Sequence, residues 1–163
     1  MRILGRILLA LIALILVVAL SAGIYVYAAI DNSFPQVDGE IQLQGLYAPV
    51  DVYRDLAGIP HIYASNEHDL FFAQGYVHAQ DRFWQMDFQR HVGSGRLSEL
   101  LGGVTVDTDI FLRTLGWERV ALQELQRLDA ESRSMLEDYA AGVNAYLAAH
   151  EGTELSLEYL FLG

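Results

Sequence analysis

The chain contains no cysteine and no lysine. Without cysteine it can form no disulfide, thiol nucleophile or thiolate metal site, so an oxidising compartment is tolerated without being indicated. Without lysine every fixed positive charge is an arginine, and there are ten. Two of these, Arg2 and Arg6, precede residue 31, so eight arginines stand against all 21 acidic residues in the rest of the chain, a net charge of −13. Such a surface repels phosphate backbones and anionic lipid, which excludes a nucleic-acid partner. The nucleophile elbow G-x-S-x-G, the zinc helix H-E-x-x-H and a phosphate-binding glycine loop are also missing; Gly93-Ser94-Gly95 is too short and closes a helical pattern instead of opening one. There is no repeat and no low-complexity tract.

What the sequence does have is a long apolar run. Residues 7–30, ILLALIALILVVALSAGIYVYAAI, carry no charge, and a helix of that length reaches ~36 Å against the ~30 Å of a hydrocarbon core. Arg2 and Arg6 on its N-terminal side keep that end cytoplasmic, which puts the rest outside. Residues 1–30 are therefore a membrane anchor or a signal peptide. Small residues at 19–23 suit a signal peptidase but form no clean A-x-A box, so the anchor is preferred. Both readings export the domain. Residues 31–39, with a proline and a glycine, form a linker, and residues 40–163 are about the size of one domain.

Within that domain, strand patterns precede helical ones. Residues 40–46 alternate through Ile41 and Leu43, residues 49–55 through Val50 and Val52, and GIPHIYA resumes after the Asp55–Gly58 turn. This predicts three short strands, the last two a hairpin whose Pro60, lacking an amide hydrogen, belongs at an edge or a strand start. A helix is predicted from Glu67 to about His91, capped by Ser65 or Asn66 with Asp69 completing a capping-box-like pair. After it come a short RLSELLG turn, a helix from about Thr108 towards Leu128, and a last one from Asp129 closed by Gly152. The fold class is α+β, mostly helical with a few N-terminal strands.

The stretch GYVHAQDRFWQMDFQR, residues 75–90, mixes polar and apolar side chains densely. On a helix, Leu70, Ala73, Val77 and Trp84 form one stripe and Phe72, Tyr76, Ala79, Phe83 and Met86 another, so the helix is buried on several sides. Gln74, His78, Gln80, Asp81, Arg82 and Gln85 then need partners, since an unpaired buried polar group costs about 1–3 kcal/mol. Asp81 is expected to pair with one or more of Arg54, Arg82, Arg90 and Arg96, whose planar fork binds a carboxylate at two points. His78 with Asp81 supplies only two metal ligands, without a third at a telling spacing. His61 is a packing residue before it is a general base, and His68, His91 and His150 near helix ends are solvated or paired with dipoles. The tyrosines and tryptophans fit a core. Asp55 is expected to bond backbone amides two residues ahead. By motif alone no residue here is assigned as catalytic, cofactor-binding or metal-binding.

The segment VDVYRDLAGIPHIYASNEHDLFFAQGYVHAQDRFWQMDFQRHVGSGRLSELLG, residues 50–102, resembles the N-terminal small-chain region of the penicillin acylase family of N-terminal-nucleophile hydrolases. Asp109 with Arg113 and Leu115-Gly116, YAAGVNAYL at 139–147 and EYLFLG at 158–163 extend the likeness. The resemblance implies part of a four-layer αββα fold and a precursor that cuts itself to expose a serine at the start of a second chain. That serine attacks an amide carbonyl with its own amino group as base, so the substrate is an acylated amine such as a β-lactam side chain or an acyl homoserine lactone. It implies calcium in the full-length protein, held by a carboxylate beyond Gly163, and no cofactor in this segment. It carries no catalytic, pocket or metal residue onto these positions: Gly142, Asn144, Ser94, Ser98, Ser132 and Ser134 do not match the self-cleavage serine. The chain is thus expected to be the front of a longer reading frame whose remainder is its partner, and alone to expose an apolar surface and aggregate. The competing reading is a membrane-tethered helical binding module without chemistry.

Overall fold

The computed structural model describes residues 2–162; Met1, Gly163 and the side chains of Arg2 and Leu4 lie outside that description. The chain opens with a long helix, α1 (Arg2–Asn32), followed by an irregular stretch and a hairpin of β1 (Asp51–Arg54) and β2 (Pro60–Tyr63). Helices follow: α2 (Glu67–Ser94), α3 (Ser98–Leu101), α4 (Val106–Leu115), α5 (Trp117–Leu125), α6 (Ala130–Leu147) and α7 (Tyr159–Leu162). Short 3₁₀ turns lie at Gly102–Thr105 and Gly152–Glu154.

The hairpin is antiparallel, with Asp51 opposite Tyr63 and Arg54 opposite Pro60, so the proline starts its strand at the turn end. Asp55 makes the turn: one carboxylate oxygen accepts from the amides of Ala57 and Ile59, both at 2.9 Å. Those amides, Ile59 foremost, hold its carboxyl below the usual aspartate value.

The strand expected at residues 40–46 does not form. This segment is coil, with Gly45 at φ 113°. A strand needs a neighbour for its ladder, and the two-stranded sheet does not extend to it. The segment lies instead on the helices, where Leu43 packs against the cluster of Tyr76, Ala79 and Tyr146. Asn66 caps α2 by accepting the amide of Asp69 at 2.8 Å, but Asp69 does not complete the capping box. Its carboxylate, fully buried, accepts the amides of Tyr47 (2.8 Å) and Ala48 (3.0 Å) and the side-chain amide of Asn66. Asp69 therefore anchors the coil to the start of α2.

The core lies where α2 crosses α6. Phe72, Ala73, Tyr76, Val77 and Ala79 are buried, and Tyr76 meets Tyr146 edge-on at 5.4 Å. The crossing is tight because both helices present a glycine. A Cβ on Gly75 would sit 2.9 Å from the carbonyl carbon of Tyr139 and 3.1 Å from the amide nitrogen of Val143. One on Gly142 would sit 2.8 Å from the carbonyl carbon of Phe72 and 2.9 Å from the amide nitrogen of Tyr76. Burial of the expected stripes fades in the second half of α2, where Phe83, Trp84 and Met86 are only partly covered, and Leu70, at the start of the first stripe, is exposed.

Two helices depart from expectation. α2 is not continuous: Arg82, at φ −143° and ψ 26°, interrupts it. The helix expected from Thr108 towards Leu128 breaks into α4 and α5 at Gly116, whose φ of 76° only glycine adopts without strain. α6 starts as expected, with Asp129 accepting the amide of Ser132 at 2.8 Å, and stops at Leu147, short of Gly152.

Asp109, on α4, folds the preceding turn. It is buried and accepts from the amides of Leu97 and Ser98, both at 2.8 Å, and from the Ser98 hydroxyl. One turn on, Arg113 Nε donates to the Gly95 carbonyl at 2.8 Å, so α4 grips the junction between α2 and α3 through both residues. Asp69, Asp87 and Asp109 share one electrostatic pattern: burial pushes each carboxyl up, but hydrogen bonds outweigh it and hold each below 3.8. A depressed folded pKa stabilises above the unfolded value and is lost as pH falls through the folded one. The protein is expected to keep its fold down to about pH 4 and lose it cooperatively below. Asp109→Asn, which turns a donor towards Ser98, should move that transition upward in a tryptophan-fluorescence acid titration.

Candidate functional site

The most polar convergence of elements is at the break in α2. Arg54, at the end of β1, places both terminal nitrogens 2.8 Å from the two carboxylate oxygens of Asp81. Its fork also donates to Gln80 Oε1 at 3.0 Å and to the Gly58 carbonyl at 3.2 Å. Gln80 in turn donates to the Gln36 carbonyl at 2.8 Å. One guanidinium thus ties the hairpin turn, the helix and, through Gln80, the linker. The side chains are 17% and 21% exposed, so this is a largely desolvated bidentate pair and not a surface contact. Of the four arginines expected to compete for Asp81, Arg54 takes it; Arg90 pairs with Asp87 at 2.7 Å and Arg96 with Glu99 at 2.6 Å.

Beside this node is an open cleft of about 720 Å³ between the hairpin turn, the middle of α2 and residues 155–158. His78, Arg82, Trp84 and Glu158 are among its lining residues. His78 and Asp81 do not act together there: His78 Nδ1 lies 3.0 Å from the Tyr139 hydroxyl while Asp81 is committed to Arg54. A second hollow, on the hairpin, is lined by Tyr53, Arg54, Asp55, His61 and Tyr63. There His61 is half exposed and 3.5 Å from Asp55, with no serine or threonine among the lining residues.

The other histidines act as fasteners. His91, buried, sets Nδ1 2.8 Å from the Asp87 carbonyl oxygen. His150 stacks on Tyr146 with ring centres 4.1 Å apart. His68 bridges two elements, with Nδ1 2.7 Å from Asp138 and Nε2 2.8 Å from the Gly45 carbonyl. Three serines are engaged as local donors: Ser94 to the Arg90 carbonyl, Ser98 to Asp109 and Ser132 to Asp129. Among the described residues no three His, Asp or Glu side chains converge as a metal site.

Sequence reasoning missed several determinants. Asp87 is one: it accepts from Arg90 and, at 2.8 Å, from the Tyr159 hydroxyl, joining α7 to α2 across 72 residues. Burial and the adjacent carboxylate push that phenol well above 10. Gly75 and Gly142 were readable as glycines inside helical patterns, the mark of a close approach, but nothing local says which helix approaches.

This is a structural framework of buried and half-buried carboxylates, each taken up by amides, arginines or hydroxyls. The penicillin amidase family model matches residues 49–163. The chain belongs to the penicillin amidase family.

Relatives within that family fill out the picture. The penicillin acylase 2 proenzyme of Pseudomonas sp. strain SE83 is 46% identical over 135 residues, 83% of this chain. The acyl-homoserine lactone acylase QuiP of Pseudomonas putida is 40% identical over 116 residues, 71% of this chain. The chain spans only 17% and 14% of those relatives' lengths. Among solved structures, the thermostable penicillin G acylase of Alcaligenes faecalis matches with a TM-score of 0.61 and 32% identity, covering 69% of this chain and 60% of that one. The segment therefore has the fold of the corresponding part of a penicillin amidase, α+β and mostly helical.

Proposed function

We propose that this chain is the N-terminal scaffold of an exported acylase-type amidohydrolase precursor, cleaving an N-acyl amide through an N-terminal serine that lies beyond residue 163. The family match across residues 49–163, with relatives named as penicillin and acyl-homoserine lactone acylases, carries this reading. In the reaction the serine hydroxyl adds to the amide carbonyl and gives its proton to the serine's own amino group. The C–N bond breaks, the amine leaves with that proton, and water then releases the acid from the acyl-serine. The present residues hold the frame against which the rest of the polypeptide folds.

Two features support the frame role. Apolar side chains crowd the surface of α4 and α5: Ile110, Phe111, Trp117 and Leu122 are each more than half exposed. Such an area calls for a cover, which the proposed remainder of the precursor supplies. The stretch Gly5–Asn32 of α1, with mean hydropathy 3.1, is long and apolar enough to cross a membrane and would hold the domain outside the cytoplasm.

The test is to express the complete reading frame, determine the N-termini of its chains, and measure acid released from phenylacetyl amides and from long-chain acyl homoserine lactones. A serine-led second chain and release from one substrate class are expected. A single uncut chain that releases no acid from either would instead leave a tethered binding module.

A further inference from the structure

His68 sits where three segments meet, and both of its ring nitrogens face acceptors. Nδ1 is 2.7 Å from Oδ1 of Asp138 on α6, and Nε2 is 2.8 Å from the carbonyl oxygen of Gly45 in the coil. The ring stacks on Tyr47 of the same coil, centres 4.1 Å apart and planes 15° apart. A carbonyl oxygen and an ionised carboxylate only accept hydrogen bonds, and a neutral imidazole has a single N–H to give. The neutral ring can satisfy one of the two partners, whereas the imidazolium satisfies both.

We propose that His68 is a proton-operated clasp that fastens the 43–48 coil onto α2 and α6 when its ring is doubly protonated and frees the Gly45 end when the ring loses a proton. The coil is suited to two positions because it has no strand partner of its own. At one end, Asp69 holds the amides of Tyr47 and Ala48, a tie that does not depend on a histidine. At the other, Gly45 rests against the Phe72 ring and Leu43 covers the Tyr76–Tyr146 cluster. Opening about the Asp69 anchor would uncover Phe72 and Tyr76, the entrance to the α2–α6 crossing.

The groups that face His68 all favour the closed form. The Gly45 carbonyl contributes most to holding its pKa above 6.5; burial opposes this, and Asp138 from α6 and Asp69 from α2 reinforce it. From the coil, the facing group is the Tyr47 ring. With a raised folded pKa, the clasp contributes its stabilisation in full below the unfolded value and loses it as pH rises through the folded one. It is closed in acid and loosens on the alkaline side. This inference does not rest on the acylase reading.

Hydrogen exchange of the complete protein in nanodiscs tests it, with the histidine titration followed in the same samples through exchange at the imidazole C2 position. Between about pH 6 and about pH 9, protection of residues 43–46, corrected for intrinsic rate, should fall about tenfold with a midpoint matching His68 and above 6.5, while the amides of Tyr47 and Ala48, tied by Asp69, keep theirs. Asp138→Asn should move that midpoint down, and His68→Gln should leave the segment weakly protected at every pH. The wild-type measurement stands even if a variant folds poorly. A His68 midpoint at or below 6.5, or coil protection that stays level while His68 titrates, overturns the proposal.

Discussion

Gly142→Ala is expected to destabilise the domain strongly. Two effects of opposite sign compete at this position. Alanine in a helix interior is worth about 1 kcal/mol over glycine, which favours the variant. Against that, its methyl would overlap the backbone of α2 at Phe72 and Tyr76, where no side chain can rotate away. The two helices must separate, loosening the Tyr76, Ala79 and Tyr146 contacts together, and overpacking of this kind costs about 3 kcal/mol or more. A domain stable by roughly 5–15 kcal/mol gives up much of its margin. Gly75→Ala should behave alike, since its methyl meets the backbone of Tyr139 and Val143. Gly93→Ala is the matched control. It lies in α2 with nothing within 4 Å of its would-be Cβ, so there only the propensity gain acts and stability should rise slightly. Urea unfolding of the three variants in the complete protein separates the terms: loss at 142 and 75, none at 93.

Breaking the Arg54–Asp81 pair should have the next largest effect. Exposed ion pairs are worth about 0–1 kcal/mol, whereas removing one partner of a buried pair costs about 3–5. With side chains 17% and 21% exposed this pair lies towards the buried limit, and Arg54→Ala or Asp81→Ala should each cost about 2–3 kcal/mol. Arg54→Lys should recover only part, because a single ammonium cannot serve Asp81 at two points while also reaching Gln80 and Gly58. Replacing both partners, Arg54→Met with Asp81→Leu, should cost less than either single alanine, since no charge is left stranded. In a processed acylase these losses should appear as a lower yield of matured enzyme with turnover per mature molecule unchanged. Normal maturation with lost turnover in Asp81→Ala would move this residue from the frame to the chemistry.

Where sequence and structure agree, the determinant is local. The hairpin follows from alternation on either side of an Asp-initiated turn, and Asp55 accepts the amide of Ala57, two residues on. The pairing of Asp81 with an arginine followed from its crowded helical setting, and the bidentate geometry selected Arg54. Where they diverge, the determinant is distant. Residues 40–46 alternate like a strand but have no neighbour to pair with, so burial of Leu43 on the α2–α6 cluster sets their course. Asp69 has the spacing of a capping box, yet its carboxylate serves amides 21 and 22 residues upstream. The continuity of α2 was expected from an unbroken helical pattern, and nothing near Arg82 in the chain announces its non-helical backbone. The family itself was legible in residues 50–102. The chemistry was not: no catalytic motif stands in these residues, and the proposed nucleophile lies beyond residue 163.

The frame account is tested most directly by separating frame from remainder. Residues 31–163, produced alone and then together with the rest of the precursor, would be compared for molecular mass in solution and for acid released from an N-acyl amide. The segment alone should associate through its uncovered helix faces and release nothing, with both defects corrected when the remainder is present. A compact monomer of residues 31–163 that hydrolyses the amide unaided would contradict the account.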